Sequence, residues 1–256
     1  ARNRLLFHAF YRREIFTRYV GSASGVAWAL LSPLAQLAIL SFVFSQIFRI
    51  AGGVNTGGLG YTAFVAVALW PWLAFSESVS RGLGAITANG DLVRKVSFPH
   101  LLLVLASVAA SYTVILAGYI AVLAVLAWFD PALRLSGLPV VAVLLVPHFI
   151  LSVGVAAAMA ALQTFLRDVA HVVGILLSLL FYATPVLYSA SMVPESVRAV
   201  MALNPHAYFS ERFRAALTGH ASLASLDVQV ALGCVAVAAL CAWFFVRLSP
   251  HFEELV

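Results

Sequence analysis

Residues 96–129 read VSFPHLLLVLASVAASYTVILAGYIAVLAVLAWF, bounded by Lys95 on one side and Asp130 on the other. No Asp, Glu, Lys or Arg interrupts the run, and a helix that crosses a bilayer needs about 20 consecutive, mostly apolar residues. The same charge-free gap recurs between Arg18 and Arg49, between Arg134 and Arg167, and between Asp227 and Arg247. Two shorter apolar runs, Tyr61 to Arg81 and Val172 to Tyr188, bring the expected number of spans to six. The pattern predicts an all-α polytopic membrane protein.

Composition agrees. Of the 256 residues, 63% are hydrophobic and 10% charged, with a mean hydropathy of +1.01; a soluble domain carries about 45–50% apolar and about 25% charged residues. The net charge of +5 invites a nucleic-acid reading, but the basic side chains sit at the ends of apolar runs and not in one patch. That placement suits topology and lipid headgroups, so no nucleic-acid partner is expected. With the N-terminus inside, ten Lys and Arg fall on the inner side and five on the outer, which predicts that both termini face the cytoplasm. Cys234 and Cys241, seven residues apart on one helix, are separated by roughly 10 Å and are too distant for a disulfide. No cleavable signal peptide is expected, because the first apolar run lacks a signal-like cleavage site and leads straight into further spans.

The breaks between runs organise a single transmembrane domain over residues 1–256. Residues 51–60 form a glycine-rich loop, and residues 84–99 a polar inner connection that holds Asp91, Arg94 and Lys95. Asp130-Pro131 to Gly137 is a turn, and Arg167-Asp168 marks another boundary. Within residues 1–20, Leu5, Leu6, Ala9, Phe10 and Phe16 recur near one helical face among arginines. They read as an amphipathic helix in the inner headgroup layer, against the alternative of a solvated basic tail. Residues 190–225 read differently: Pro194 starts a short helix, Asn204-Pro205 breaks it, and a second helix runs to a Gly219 stop. Each piece is too short to cross and is expected to lie on the outer surface or to re-enter.

Chemistry is conspicuous by what is missing from the sequence. A phosphate-binding loop needs a lysine after glycine, and Lys95, the single lysine of the chain, follows Arg94. Span centres lack carboxylates, which disfavours proton or sodium coupling; Glu77 sits toward an inner end, one turn from Arg81, and reads as an intrahelical pair. His148, after Pro147, has two readings, a hydrogen bond to a neighbouring helix or a substrate contact. No His, Cys, Asp or Glu cluster has metal-ligand spacing. A serine-protease pairing of Ser24 with His148 rests on small residues that are commonplace at helix starts, so a membrane-embedded enzyme is disfavoured. Trp70, Trp72, Phe75 and Tyr182 are candidate channel aromatics, since sugar faces stack on such rings; interfacial belt or core packing is the alternative for each.

Several stretches together resemble a known family. Arg13-Glu14, Arg18-Tyr19-x-Gly21-Ser22, Gly25-x-x-Trp28 and Pro33-Leu34, then Leu92-Val93-Arg94-Lys95-Val96-Ser97-Phe98-Pro99, then Asn204-Pro205 and Glu211-Arg212-Phe213-Arg214 follow the order found in ABC-type polysaccharide exporter permeases. Ser32 and His100 depart from that pattern, where Asn and Arg are common. The resemblance implies a homodimeric pore in the bacterial inner membrane, with two ATPase subunits that hold ATP and Mg, and no cofactor on this chain. It implies a coupling helix that uses Asn89, Asp91, Leu92, Arg94 and Lys95, and headgroup contacts from Arg12, Arg13, Arg18 and Tyr19. It also implies an outer gate that includes Asn204, Pro205, Arg212 and Arg214. The expected substrate is a lipid-linked polysaccharide, O-antigen first, with capsule polymer and teichoic acid as sisters and a drug or lipid as the competing cargo.

Overall fold

The computed structural model describes residues 2–19, 25–47, 55–220 and 222–255. It is 84% helical, with no strand among the described residues. Eleven α-helices follow in order: α1 (Arg2–Tyr19), α2 (Gly25–Phe42), α3 (Tyr61–Leu83), α4 (Gly90–Lys95), α5 (Leu101–Phe129), α6 (Leu138–Phe165), α7 (Val169–Ala183), α8 (Glu195–Ala202), α9 (Pro205–Leu217), α10 (Ser225–Leu248) and α11 (Phe252–Leu255). Four are long and apolar enough to cross a membrane: α3, α5, α6 and α10. Two shorter apolar helices, one continuing from α2 to Ile47 and the other α7, occupy the remaining two predicted places.

The fifth predicted run differs most from expectation. Instead of Val172 to Tyr188, α7 starts at Val169 and stops at Ala183. Pro185 is the cause: the residue before a proline is pushed out of the helical region, and Thr184 is extended at φ −98, ψ 136. Fifteen residues of helix reach about 22 Å, short of a hydrocarbon core of about 30 Å.

Helix α3 is the central pillar. It packs against α2, α5, α6, α7 and α9, and Phe64, Val65, Ala66, Val67, Leu69 and Trp70 are all buried. Close approach depends on small side chains, as is usual where lipid offers no hydrophobic contrast. A Cβ on Gly154 of α6 would lie 2.5 Å from the Ala238 Cα of α10, and one on Gly82 of α3 would lie 2.7 Å from the Ala156 Cβ of α6.

Hydrogen bonds tie one end of the bundle and aromatic contacts the other. At one end the Gly60 N–H donates to Asp130 Oδ2 (2.7 Å) and the Arg134 N–H to the Leu217 carbonyl (2.7 Å). At the other, Phe10 of α1 meets Phe98, and Phe252 of α11 meets Phe165, Phe245 and His100. Helices α1 and α11 therefore sit at the same end as α4.

Only part of the apolar face expected for α1, Leu6 and Phe10, packs on the bundle. Phe10 is buried and Leu6, Phe7 and Tyr11 are partly buried, whereas Leu5 and Phe16 are exposed. The helix lies along α5, and the Tyr11 hydroxyl donates to Thr113 Oγ1 (2.9 Å), three turns into α5.

Candidate functional site

At the α4 end, the chain brings together two groups of residues that the sequence singles out separately. Val93 is fully buried and anchors α4 beneath the bundle, with Leu92 partly buried beside it. Asp91, Arg94 and Lys95 are left on the surface. Lys95 and Asp91 are 3.9 Å apart and both well exposed, a pair of little energetic weight. Asn89, just before the helix, donates to the Ala85 carbonyl (2.8 Å) and accepts from Arg13 Nη2 of α1 (2.5 Å). Arg13, Asn89, Asp91 and Arg94 thus border one open surface hollow of 430 Å³. Arg12 is exposed with its guanidinium over Phe16. The predicted Gly21, Ser22, Ser24 and Arg49, and the side chains of Arg18 and Tyr19, lie outside the described residues.

At the opposite end, the four predicted gate residues are all held in place. Pro205 opens α9 at its first turn, where its missing N–H is harmless. Asn204 caps that helix by accepting from the His206 N–H (3.0 Å), and its amide donates to Thr184 Oγ1 beyond α7 (2.9 Å). Arg212 grips Asp227 of α10 with two bonds of 2.7 Å and donates to the Ser222 carbonyl (2.9 Å). Tyr208 donates to the same carboxylate (2.7 Å). The hydrogen bond to Asp227 raises the Arg212 guanidinium above its ordinary value, so the pair stays ionised.

Arg214 is the most enclosed of these. It donates from Nε to the Phe64 carbonyl (3.1 Å), from Nη1 to Pro185 (2.7 Å) and from Nη2 to Val186 (2.7 Å). A further bond reaches Glu211 (3.2 Å), and the guanidinium lies 3.4 Å above the Phe64 ring. It therefore sews α9 to α3 and to the bend after α7.

Between the ends lies an aromatic and histidine layer. Trp70, Trp72 and Phe75 are buried within this one chain. Trp72 touches Phe75, Phe181 and His206, and the Phe75 ring lies 4.0 Å from His206 at a tilt of 49°. These three rings pack in the core of the chain. Tyr182 alone among the four candidates is exposed, at 69%. His148 takes the hydrogen-bonding reading: its Nδ1 meets the Tyr112 hydroxyl of α5 at 2.7 Å, and that hydroxyl also meets Ser152 (2.7 Å). Glu77 and Arg81 form the intrahelical pair.

The partners of Tyr112, His206, Asp227 and Thr184 escaped sequence reading. The available signal was a polar residue within an apolar run, which marks a need for a partner without naming it.

A helical bundle with charged clusters at both ends and an apolar girth defines a multi-pass membrane protein. The chain belongs to the ABC-2 type transporter family, which matches residues 6–218. It is similar to the O-antigen export system permease protein RfbA of Myxococcus xanthus, at 31% identity over 93% of this chain and 89% of the relative. It is also similar to RfbA of Klebsiella pneumoniae, at 27% identity over 75% and 72%. A more distant relative is the polysialic acid transport protein KpsM of Escherichia coli, at 23% over 82% and 80%. The chain is a transport subunit of a polysaccharide exporter, and a multi-pass membrane protein.

Proposed function

We propose that the chain carries a lipid-linked polysaccharide of O-antigen type across the bacterial inner membrane. The single observation that carries this reading is its similarity, over nearly the full length of both chains, to a Myxococcus permease named for O-antigen export. The KpsM likeness supports a capsule-type polymer as the second reading, at lower identity.

The power source is a separate chain. Lys95 is the single lysine of the sequence and is not part of a phosphate-binding loop, and the ABC-2 family match supports two copies of an ABC ATPase that hold ATP and Mg. Their docking point is α4 with Asn89, Asp91, Leu92, Arg94 and Lys95. The Arg13–Asn89 bond gives α4 a grip on α1, so a displacement of the coupling helix is passed to the helix whose Arg12 and Arg13 meet the anionic headgroup of the substrate. A switch of this kind requires that the contacts differ between two states, and this bond is a contact that can be made in one and broken in the other.

The polymer is too polar to cross hydrocarbon and needs a protein-lined path, here formed between two copies of the chain. Ala170, Gly174 and Ser178 recur every fourth residue on α7, and beyond its own helix turn a Cβ on Gly174 meets no atom of the described residues within 4 Å. Small residues at that spacing allow two helices to approach closely. Tyr182 and His171 flank the stripe and supply the sugar-facing side chains. The inner side is the α4 end, with both termini cytoplasmic, following the ten-to-five bias of basic residues.

The test is complementation. In cells that make the polymer but lack their own permease, this chain together with a cognate ABC ATPase restores polymer at the surface. Arg94→Glu with Lys95→Glu stops export and ATPase co-purification while the permease still accumulates. Export by that variant at the normal rate, or restored export without any ATPase, overturns the reading.

A further inference from the structure

We propose that the crevice between α8, α9 and α10 seats one acyl chain of an anionic phospholipid, with the lipid phosphate on Arg198. The crevice has a volume of 610 Å³, inside the range of about 300–1,000 Å³ usual for small-molecule sites. Met201 and Pro205 form one wall, Val230 and Val237 the other, and Leu151 of α6 and Cys234 the floor.

Its depth matches one leaflet. The α10 wall runs from Leu226, at the end that carries Asp227, to Val237. Eleven residues of helix measure about 16 Å, roughly half of a hydrocarbon core of about 30 Å. A single acyl chain lying along α10 fills that depth from the headgroup level downward.

Charge at the mouth selects the headgroup. Three polar or charged side chains line the crevice: Tyr208, Glu211 and Arg198. Two are already engaged, since the Tyr208 hydroxyl donates to Asp227 and the Glu211 carboxylate accepts from Arg214. Arg198 donates one bond to the Val193 carbonyl (3.1 Å) and has no ion pair among the described residues. It is exposed at the rim, and a guanidinium there meets a phosphate with charge-assisted hydrogen bonds.

Gly233 is an independent indication. It lies mid-helix on the crevice wall, where glycine is less favourable than alanine by about 1 kcal/mol. Beyond its own helix turn, a Cβ there would meet no atom of the described residues within 4 Å, unlike Gly82 and Gly154, which helix packing explains. Its bare surface widens the groove for something that does not belong to this chain.

The experiment uses the full chain in nanodiscs that contain phosphatidylglycerol or phosphatidylcholine bearing a photoreactive diazirine in the acyl chain. Mapping of the label is expected to place it on residues 226–237 and Leu151, about fivefold more from phosphatidylglycerol, as one basic side chain near an anionic surface provides. Arg198→Gln removes that preference and keeps the label. Gly233→Phe removes the crevice label with elution and melting unchanged. Label spread evenly over exposed Leu240 and Val246, or unchanged by Gly233→Phe, overturns the proposal. So does a Val237→Cys crosslink between two copies, in a Cys234→Ala, Cys241→Ala background, in place of lipid label, since it puts a second copy in the groove.

Discussion

Replacing Arg214 with methionine removes the side chain that joins three segments of the fold. The guanidinium is 6% exposed and answers the carbonyls of Phe64, Pro185 and Val186. A buried carbonyl left without a partner costs about 1–3 kcal/mol; Phe64 keeps its place in the α3 ladder, so the Pro185 and Val186 carbonyls bring a gross loss of about 2–6 kcal/mol. The lost cation–π contact with Phe64 adds up to about 2 kcal/mol at a desolvated site. Offsetting this, methionine no longer has to bury a charge, and Glu211, 41% exposed, falls back on water. The net expectation is about 3–5 kcal/mol, the range for breaking a buried charge from its partners. With about 2–4 °C of melting shift per kcal/mol for a chain of this size, the melting point in detergent falls by about 6–20 °C. Arg214→Lys keeps the charge but has no planar fork to span the three carbonyls, and it recovers only part of the loss. A fall under about 2 °C for Arg214→Met, or full recovery by lysine, refutes the geometric account.

Two further outcomes follow from the same packing. Gly154→Leu forces α6 away from Ala238 and destabilises by about 1–3 kcal/mol or more, whereas Gly233→Ala, with open space around its Cβ, leaves stability unchanged or raises it by up to about 1 kcal/mol; parallel melting curves compare the two. Asp227→Ala leaves Arg212 without its bidentate partner, whose side chain is 4% exposed, and costs about 3–5 kcal/mol. The combined Arg212→Met, Asp227→Leu variant recovers a large part of that loss, and a double-mutant cycle that shows no coupling disproves the pairing.

Bilayer thickness is a length, and length is written along the chain. The charge-free intervals from Lys95 to Asp130 and from Arg134 to Arg167 contain α5 and α6 to within a few residues, because an uncompensated charge does not enter hydrocarbon. Local backbone chemistry was equally legible. Pro194, Asn204-Pro205 and Gly219, at φ 102, delimit α8 and α9 where proline and glycine demand it. Thr184-Pro185 carries the same kind of signal, and it truncates the fifth run.

Rotation of each helix about its own axis is another matter. When lipid and protein interior are both apolar, a helix such as α5 is hydrophobic all round, and periodicity does not say which side meets a neighbour. Tertiary structure alone decided that Trp70 and Trp72 face inward while Tyr182 faces outward. It turned Phe10 of α1 to the bundle and left Leu5 and Phe16 outside. It also made Arg214 a buried tie, set Arg13 against Asn89 across 76 positions of chain, and opened the groove beside Gly233. Each of these depends on how one helix is turned and placed against another, which small residues such as Gly154 and Ala238 settle through contact and composition cannot encode.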